Sequence, residues 1–314
     1  MSRVGTRASA DRSSPRRSPA HDASASSSFS SLGSAEPTGS HETEICRYKD
    51  GCCVYADGSP AYVPAGDCSG TVPTNFTVFY QYDANRARRA WEATQAWRRS
   101  QHVWKIHTLP NRWFPRIKEA YPHFIHGHSR TGCPIIYEQP GRMRLKELFR
   151  SDCQLADMIF HYQFLMEFLS NIICAREEVR SISASSSEND MSPWGLMVVM
   201  DVKGFGLSSL STDVLSYLQQ AGQVNKAHYP LCTKQAVLVN ASYWLAGAFS
   251  TVKGLVPDSV QVDVASSRQC AKVLTKYIDP EQIPSEYGGT SPYRLGEHPY
   301  ELSLRQLVEE RINS

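Results

Sequence analysis

The stretch that decides the fold is residues 229–289, YPLCTKQAVLVNASYWLAGAFSTVKGLVPDSVQVDVASSRQCAKVLTKYIDPEQIPSEYGG. It holds two short β-branched runs, QAVLVN at 235–240 and SVQVDV at 259–264. An amphipathic segment at 243–256 lies between them, and a second helical segment at 267–278, with a Ser cap, follows. Strands of this kind alternating with helices predict βαβ units, a parallel sheet and right-handed crossovers. In the 243–256 segment Leu245, Phe249, Val252 and Val256 share one face, Tyr243 and Trp244 stand at its start and Lys253 near its end. That pattern suits a membrane interface, and an ordinary core-facing helix shows the same stripe. None of the stretch resembles a set of catalytic groups. It reads as a parallel sheet with a movable apolar helix across one face, a unit that can hold a lipid rather than transform a substrate.

The same alternation continues upstream. GLMVVMD at 195–201 is apolar on both faces, as a covered parallel strand requires. Residues 214–224 read as a helix. PIIYE at 134–138 is a short strand ended by Pro140–Gly141, and 153–177 is a long amphipathic helix with a stripe of Leu155, Met158, Ile159, Tyr162, Leu165, Met166, Leu169 and Ile173. Asp83 caps a helix to about residue 99, with Ala87, Ala90, Trp91, Thr94 and Trp97 on one face and the arginines mainly on the others. A further helical piece is expected at 112–121, a Ser-rich surface loop at 181–189, and a last helix capped by Ser303.

Composition limits the function classes. The first 45 residues, rich in Ser, Ala, Arg and Pro, bury too little apolar surface to offset chain entropy and read as a disordered tail. The formal net charge of +2 gives no field of the kind that marks nucleic-acid binding. No apolar run reaches membrane-spanning length, and the amino terminus lacks an apolar signal core, so a cytoplasmic protein with mostly reduced cysteines is expected. Residues 46–73 read as an irregular Cys-, Gly- and Pro-rich loop. Its Cys46, Cys52, Cys53 and Cys68 lack paired C-x-x-C spacing, so no metal is expected there.

Three signals bear on chemistry. Gly204-Phe205-Gly206-Leu207-Ser208-Ser209 follows a strand and resembles a dinucleotide fingerprint, but Ser209 stands at the third glycine position and the next strand ends at Asn240 rather than at an acid. A turn is the better reading. No G-x-S-x-G elbow is present. HFIHGHS reads as a His-rich loop in which His126 and His128 are better explained as hydrogen-bonded or solvated than as a metal pair.

An ordered set of segments resembles the CRAL-TRIO lipid-binding family: YDANRARRAWEATQAWR, TGCPIIYE, VVMDVKGFGLSSLS, HYP, VLVNASYWLAGAFSTVKGLV and IPSEYGG, spanning about residues 75–290. The resemblance implies an α/β fold, a mixed and largely parallel sheet under an apolar pocket with a gating helix, preceded by a small helical segment. It implies a lipid as the ligand and no other cofactor, a transient membrane surface as partner, and lipid transfer or presentation to a lipid-modifying enzyme, not enzymatic activity. An interaction module for a small GTPase is the alternative, a nucleotide-binding enzyme a more distant one. The implied organisation is a tail at 1–45, the irregular segment at 46–73, a helical segment at 74–120, the lipid-binding domain at 121–290 and a C-terminal extension at 291–314. Residues expected to line the pocket are Ile125, Ile136, Leu196, Val198, Met200, Leu231, Phe249 and Val252, with Asp263 near the headgroup end. Trp244, Phe249 and Lys253 belong to the gate that contacts the membrane.

Against the family pattern, Leu231 and Asp263 fall where phosphatidylinositol binders carry a Glu and a Lys. Leu196 and Val198 replace two hydroxyl residues, and Ile125 and Ile136 replace two tyrosines. The resemblance with these departures implies a ligand other than phosphatidylinositol, such as a sterol or another neutral apolar molecule.

Overall fold

The computed structural model describes residues 47–49, 52–54, 72–182, 195–206, 211–230, 233–242 and 260–313. All of them fall within one unit, Glu44–Ser314. Two short strands, β1 (Arg47–Lys49) and β2 (Cys52–Val54), pair antiparallel where the sequence reads as loop. Helix α1 (Thr74–Phe79) precedes α2 (Ala84–Ser100), whose cap is Asp83: its Oδ1 accepts from the Asn85 and Arg86 amides at 3.1 and 3.0 Å. A 3-10 turn at Val103–Thr108 leads to α3 (Phe114–Ala120).

The HFIHGHS segment is a strand, β3 (His123–His128), and not a loop. It pairs antiparallel with β4 (Pro134–Glu138), and a bulge between Ile125 and His128 absorbs Gly127, whose φ is +65°. Pairing satisfies its backbone groups and lets its imidazoles be buried, which a periodicity reading of histidines does not reveal. Next come α4 (Leu145–Arg150), α5 (Leu155–Ile182), β5 (Leu196–Asp201), α6 (Thr212–His228), β6 (Thr233–Val239) and β7 (Gln261–Val264). The chain then forms α7 (Cys270–Leu274) and α8 (Pro299–Asn313). α7 is shorter than the helix expected at 267–278 and starts after Gln269, without a serine cap. α8 starts before Ser303, so that residue is interior to the helix.

Among the described residues the main sheet has five strands in the order β3-β4-β5-β6-β7, parallel from β4 onward. Its lower face presents Ile135, Tyr137, Met197, Val199, Val237 and Val239 to Cys270, Leu274, Ile278, Ile283 and Tyr287. Its upper face meets α5 and α8: Ile125, Ile136 and Leu196 pack with Phe164, Leu165, Met166, Leu169, Leu304 and Val308. Covering both faces explains why the β4 and β5 sequences are nearly continuous apolar runs. The terminal YGG closes the lower layer. Gly288 has φ +83°, and a Cβ on Gly289 would run into the Ile283 carbonyl, so a side chain at either position would displace the backbone.

Candidate functional site: the upper face of the sheet

Strand register aligns the candidate residues in rows. Ile125, Ile136, Val198, Ala236 and Val262 are successive partners across all five strands. One step toward the carboxyl ends of the parallel strands, His123, Glu138, Met200, Leu238 and Val264 form the next row. Because side chains alternate with a period of two, both rows share the upper face, as does Leu196. The two ends of this floor differ. Ile125, Ile136 and Leu196 are buried under α5 and α8, whereas Val198, Met200, Val262 and Val264 keep part of their surface accessible. The partly open positions of the floor are therefore aliphatic and lie on β5 and β7, with the buried Ala236 and Leu238 of β6 between them.

Asp263 does not belong to this floor. Its partner is Val237, a lower-face residue, so its side chain lies on the face opposite Val198 and Met200. There its Oδ2 accepts from the Tyr277 hydroxyl at 2.7 Å and lies 3.8 Å from Lys276 Nζ. This hydrogen bond pushes the Tyr277 hydroxyl up, with burial adding to it. The expected repulsion between Asp263 and a lipid phosphate therefore does not arise from this geometry; the floor positions on β7 are Val262 and Val264. Leu231, Trp244, Phe249, Val252 and Lys253 lie outside the described residues. So does the second half of the Gly204–Ser209 turn; Gly204 itself sits at φ +82°.

The polar group on the floor that sequence reasoning missed is Glu138. It stands two residues after Ile136, so strand parity alone puts it on the same face. Burial raises its pKa, and a hydrogen bond with the Tyr121 hydroxyl opposes that rise. Burial also raises Tyr121 and Tyr217, and the Glu138 charge adds to both shifts. Among the described residues no cation forms an ion pair with Glu138.

His123, on the same row, is held by a chain of neutral groups. Asn111 Nδ2 lies 3.2 Å from His161 Nδ1, His161 Nε2 lies 2.9 Å from His123 Nε2, and His123 Nδ1 lies 2.8 Å from the Tyr121 carbonyl. An amide nitrogen only donates, so His161 accepts at Nδ1 and donates at Nε2. His123 then accepts at Nε2 and donates at Nδ1 to the carbonyl. A proton added to His123 would set two donors against each other. Burial, with the Lys118 charge and then His161, holds His123 well below the ordinary imidazole range, and burial with Lys118 lowers His161 to about 3. His126, fully buried, donates to or accepts from Ser291 Oγ at 3.0 Å, and burial followed by His298 lowers it to about 4.

Two buried ion networks frame the floor. Arg98 of α2 grips Glu167 of α5 through two hydrogen bonds of 2.8 and 3.0 Å, and the Tyr229 hydroxyl donates to the same carboxylate at 2.6 Å. His228 stacks on Trp97 with ring centroids 3.9 Å apart. These contacts place Tyr229 and Pro230, just before Leu231. At the other edge, Glu301 of α8 accepts from the Ile125 amide at 3.0 Å and pairs with Lys118 at 2.7 Å and Arg305 at 3.2 Å. α8 is thereby fastened over the Ile125 end of the floor.

Comparison with known proteins gives a consistent picture. A family profile described as the CRAL/TRIO domain matches residues 118–289. The SEC14 cytosolic factor of Eremothecium gossypii is 26% identical over 219 residues, covering 67% of this chain and 66% of that protein. The phosphatidylinositol/phosphatidylcholine transfer protein SFH4 of Arabidopsis thaliana is 24% identical over 225 residues, covering 68% and 34%. The chain thus spans no more than about two thirds of either relative. The crystal structure of Sfh5 superimposes with a TM-score of 0.52 at 15% identity, covering 76% of this chain and 80% of that one, a likeness of fold. No helix among the described residues is long and apolar enough to cross a membrane.

Proposed function

Because the chain belongs to the CRAL/TRIO domain family, we propose that it binds a lipid on the upper face of its sheet and carries it between membranes or presents it there. The observation that carries this reading is the partly accessible aliphatic floor of Val198 and Met200 on β5 and Val262 and Val264 on β7, in register through the buried Ala236 and Leu238 of β6. Each methylene moved from water onto such a surface gains about 0.8 kcal/mol. A ligand with long chains therefore has a strong reason to stay bound until a bilayer replaces those contacts. The protein acts from the cytoplasm, peripherally at the membrane, with the 243–256 segment as the gate.

The ligand differs from phosphatidylinositol. Leu196 and Val198 supply no hydroxyl, and neither floor row holds a Lys or Arg. A phosphate laid on these rows would find no Lys or Arg among their residues to pair with it. A neutral lipid fits better, one whose polar end is a hydroxyl that Glu138 accepts. Mass spectrometry of lipids co-purified with the protein tests both levels. Stoichiometric phosphatidylinositol refutes the headgroup reading. A lipid-free protein that moves no lipid between vesicles refutes the carrier reading itself.

A further inference from the structure

The whole-chain charge of +2 hides a strong local asymmetry. Residues 84–118 contain nine Lys and Arg side chains against Glu92 alone. Arg98 is absorbed internally by Glu167 and Lys118 by Glu301. α2 is pinned through one face, where Ala87, Trp91, Thr94 and Arg98 are buried and Thr94 Oγ1 donates to the Ala227 carbonyl at 3.2 Å. Its outer face presents Arg88, Arg89 and Arg99 around a single acid, Glu92, all four exposed, and none of the three arginines is in an ion pair among the described residues.

A second feature sits at the start of this face. α1 ends with the Tyr82 amide bonded to the Thr77 carbonyl at 2.8 Å and the Gln81 amide to that of Val78 at 2.9 Å. The pattern is that of a Schellman-type end, with Gln81 and Tyr82 at φ +54° and +63° where a glycine is usual. The turn holds Tyr82 outward, 74% exposed, beside the first turn of α2. A tyrosine at the rim of a cationic face is the pairing expected at the headgroup level of a bilayer.

We propose that the outer face of α2, with Tyr82 at its edge, docks the protein onto an anionic bilayer. This rests on the lipid-carrier reading and names the surface through which the carrier meets its membrane. The arginines neutralise lipid phosphates and carboxylates, and Tyr82 enters the interfacial layer. The helix is about 25 Å long at 1.5 Å per residue, so the contact is an extended line along the membrane plane. Nucleic acid would meet the same charges and could stack a base on Tyr82, but the whole-chain charge of +2 gives no field of the kind that marks nucleic-acid binding.

The experiment is co-sedimentation of the full chain with phosphatidylcholine vesicles, with and without phosphatidylserine. The parent protein is expected to favour the anionic vesicles and to lose that preference as salt rises. Each cation at such a surface strengthens binding about fivefold, so R88Q/R89Q/R99Q is expected to lower anionic binding roughly a hundredfold and leave neutral binding unchanged. Y82S is expected to weaken binding to both vesicle types. Equal binding of parent and triple variant to anionic vesicles overturns the proposal. So does parental binding to an RNA homopolymer without binding to anionic vesicles. Co-purified lipid is measured on the same samples: an empty pocket with intact, arginine-dependent vesicle binding refutes the carrier reading and supports the face. A filled pocket with no dependence on the arginines overturns the face alone.

Discussion

Replacing Glu301 with Ala tests how the C-terminal helix is held over the sheet. Glu301 is 0% exposed and serves three donors at once: Lys118, Arg305 and the Ile125 amide. Its removal strands the Lys118 ammonium in a site where burial already lowers that lysine to about 8, with the Glu301 charge and hydrogen bond opposing the shift. Breaking one side of a buried pair typically costs about 3–5 kcal/mol, mostly from the charge left behind. Urea unfolding at pH 7, followed by circular dichroism and extrapolated linearly, is expected to show a loss of this size. In the double variant K118M/E301A the stranded charge is absent. What remains is the unpaired Ile125 amide, about 1–3 kcal/mol, so the two substitutions are expected to be non-additive.

A pH signature accompanies this loss. Without Glu301 the folded-state pKa of Lys118 drops further below its unfolded value. A base with a lowered folded pKa loses stability as pH falls, because the unfolded chain takes up the proton that the folded one refuses. E301A is therefore expected to recover part of its deficit as the buffer moves from pH 7 to 9. Additivity in the cycle, or an E301A variant within about 0.5 kcal/mol of the parent, the range of substitutions away from special features, would refute the reasoning.

The neutral histidines predict acid sensitivity by the same logic. His123, His126 and His161 have lowered folded pKa values, so each removes about 1.4 kcal/mol per pH unit once the pH is below 6.5, while the raised pKa of Glu138 acts in the opposite sense. Urea midpoints at pH 7 and pH 5 should differ clearly, and a flat profile refutes the neutral chain from Asn111 to Tyr121. Val198→Asp puts a charge on the accessible floor and is expected to abolish lipid pick-up, whereas Asp263→Asn, on the other face, is expected to leave it unchanged. Equal effects of the two would remove the upper face as the site. Glu138→Leu is expected to shift co-purified lipids toward species without a hydroxyl, and an unchanged lipid profile counts against Glu138 as a polar anchor.

Elements with strong local signals were legible in the chain. The β-branched runs contribute the strands Thr233–Val239 and Gln261–Val264, the apolar run contributes Leu196–Asp201, and PIIYE is the strand Pro134–Glu138. Asp83 caps its helix as its side chain predicts. The shared face of Leu196, Val198 and Met200 also follows from strand parity alone. HFIHGHS was not legible, because the reward for making it a strand comes from a partner on β4 that local pattern does not contain. Glu138 was within reach of the same parity that aligned Ile136, but that no cation among the described residues pairs with it appears only once the helices are packed.

By itself the sequence determined the strands from β4 to β7, the helices α2, α5 and α6, the family, and a lipid-like aliphatic character at Ile125, Ile136, Leu196 and Val198, since these are properties of side chains and short-range spacing. Tertiary structure decided which of them stay covered by α5 and α8, that Asp263 points away from the floor toward Tyr277, and that α2 turns its arginines outward. Those outcomes depend on register and on which face each element buries. A one-residue change in strand register exchanges the two faces of the sheet, and a resemblance in order along the chain does not carry that information.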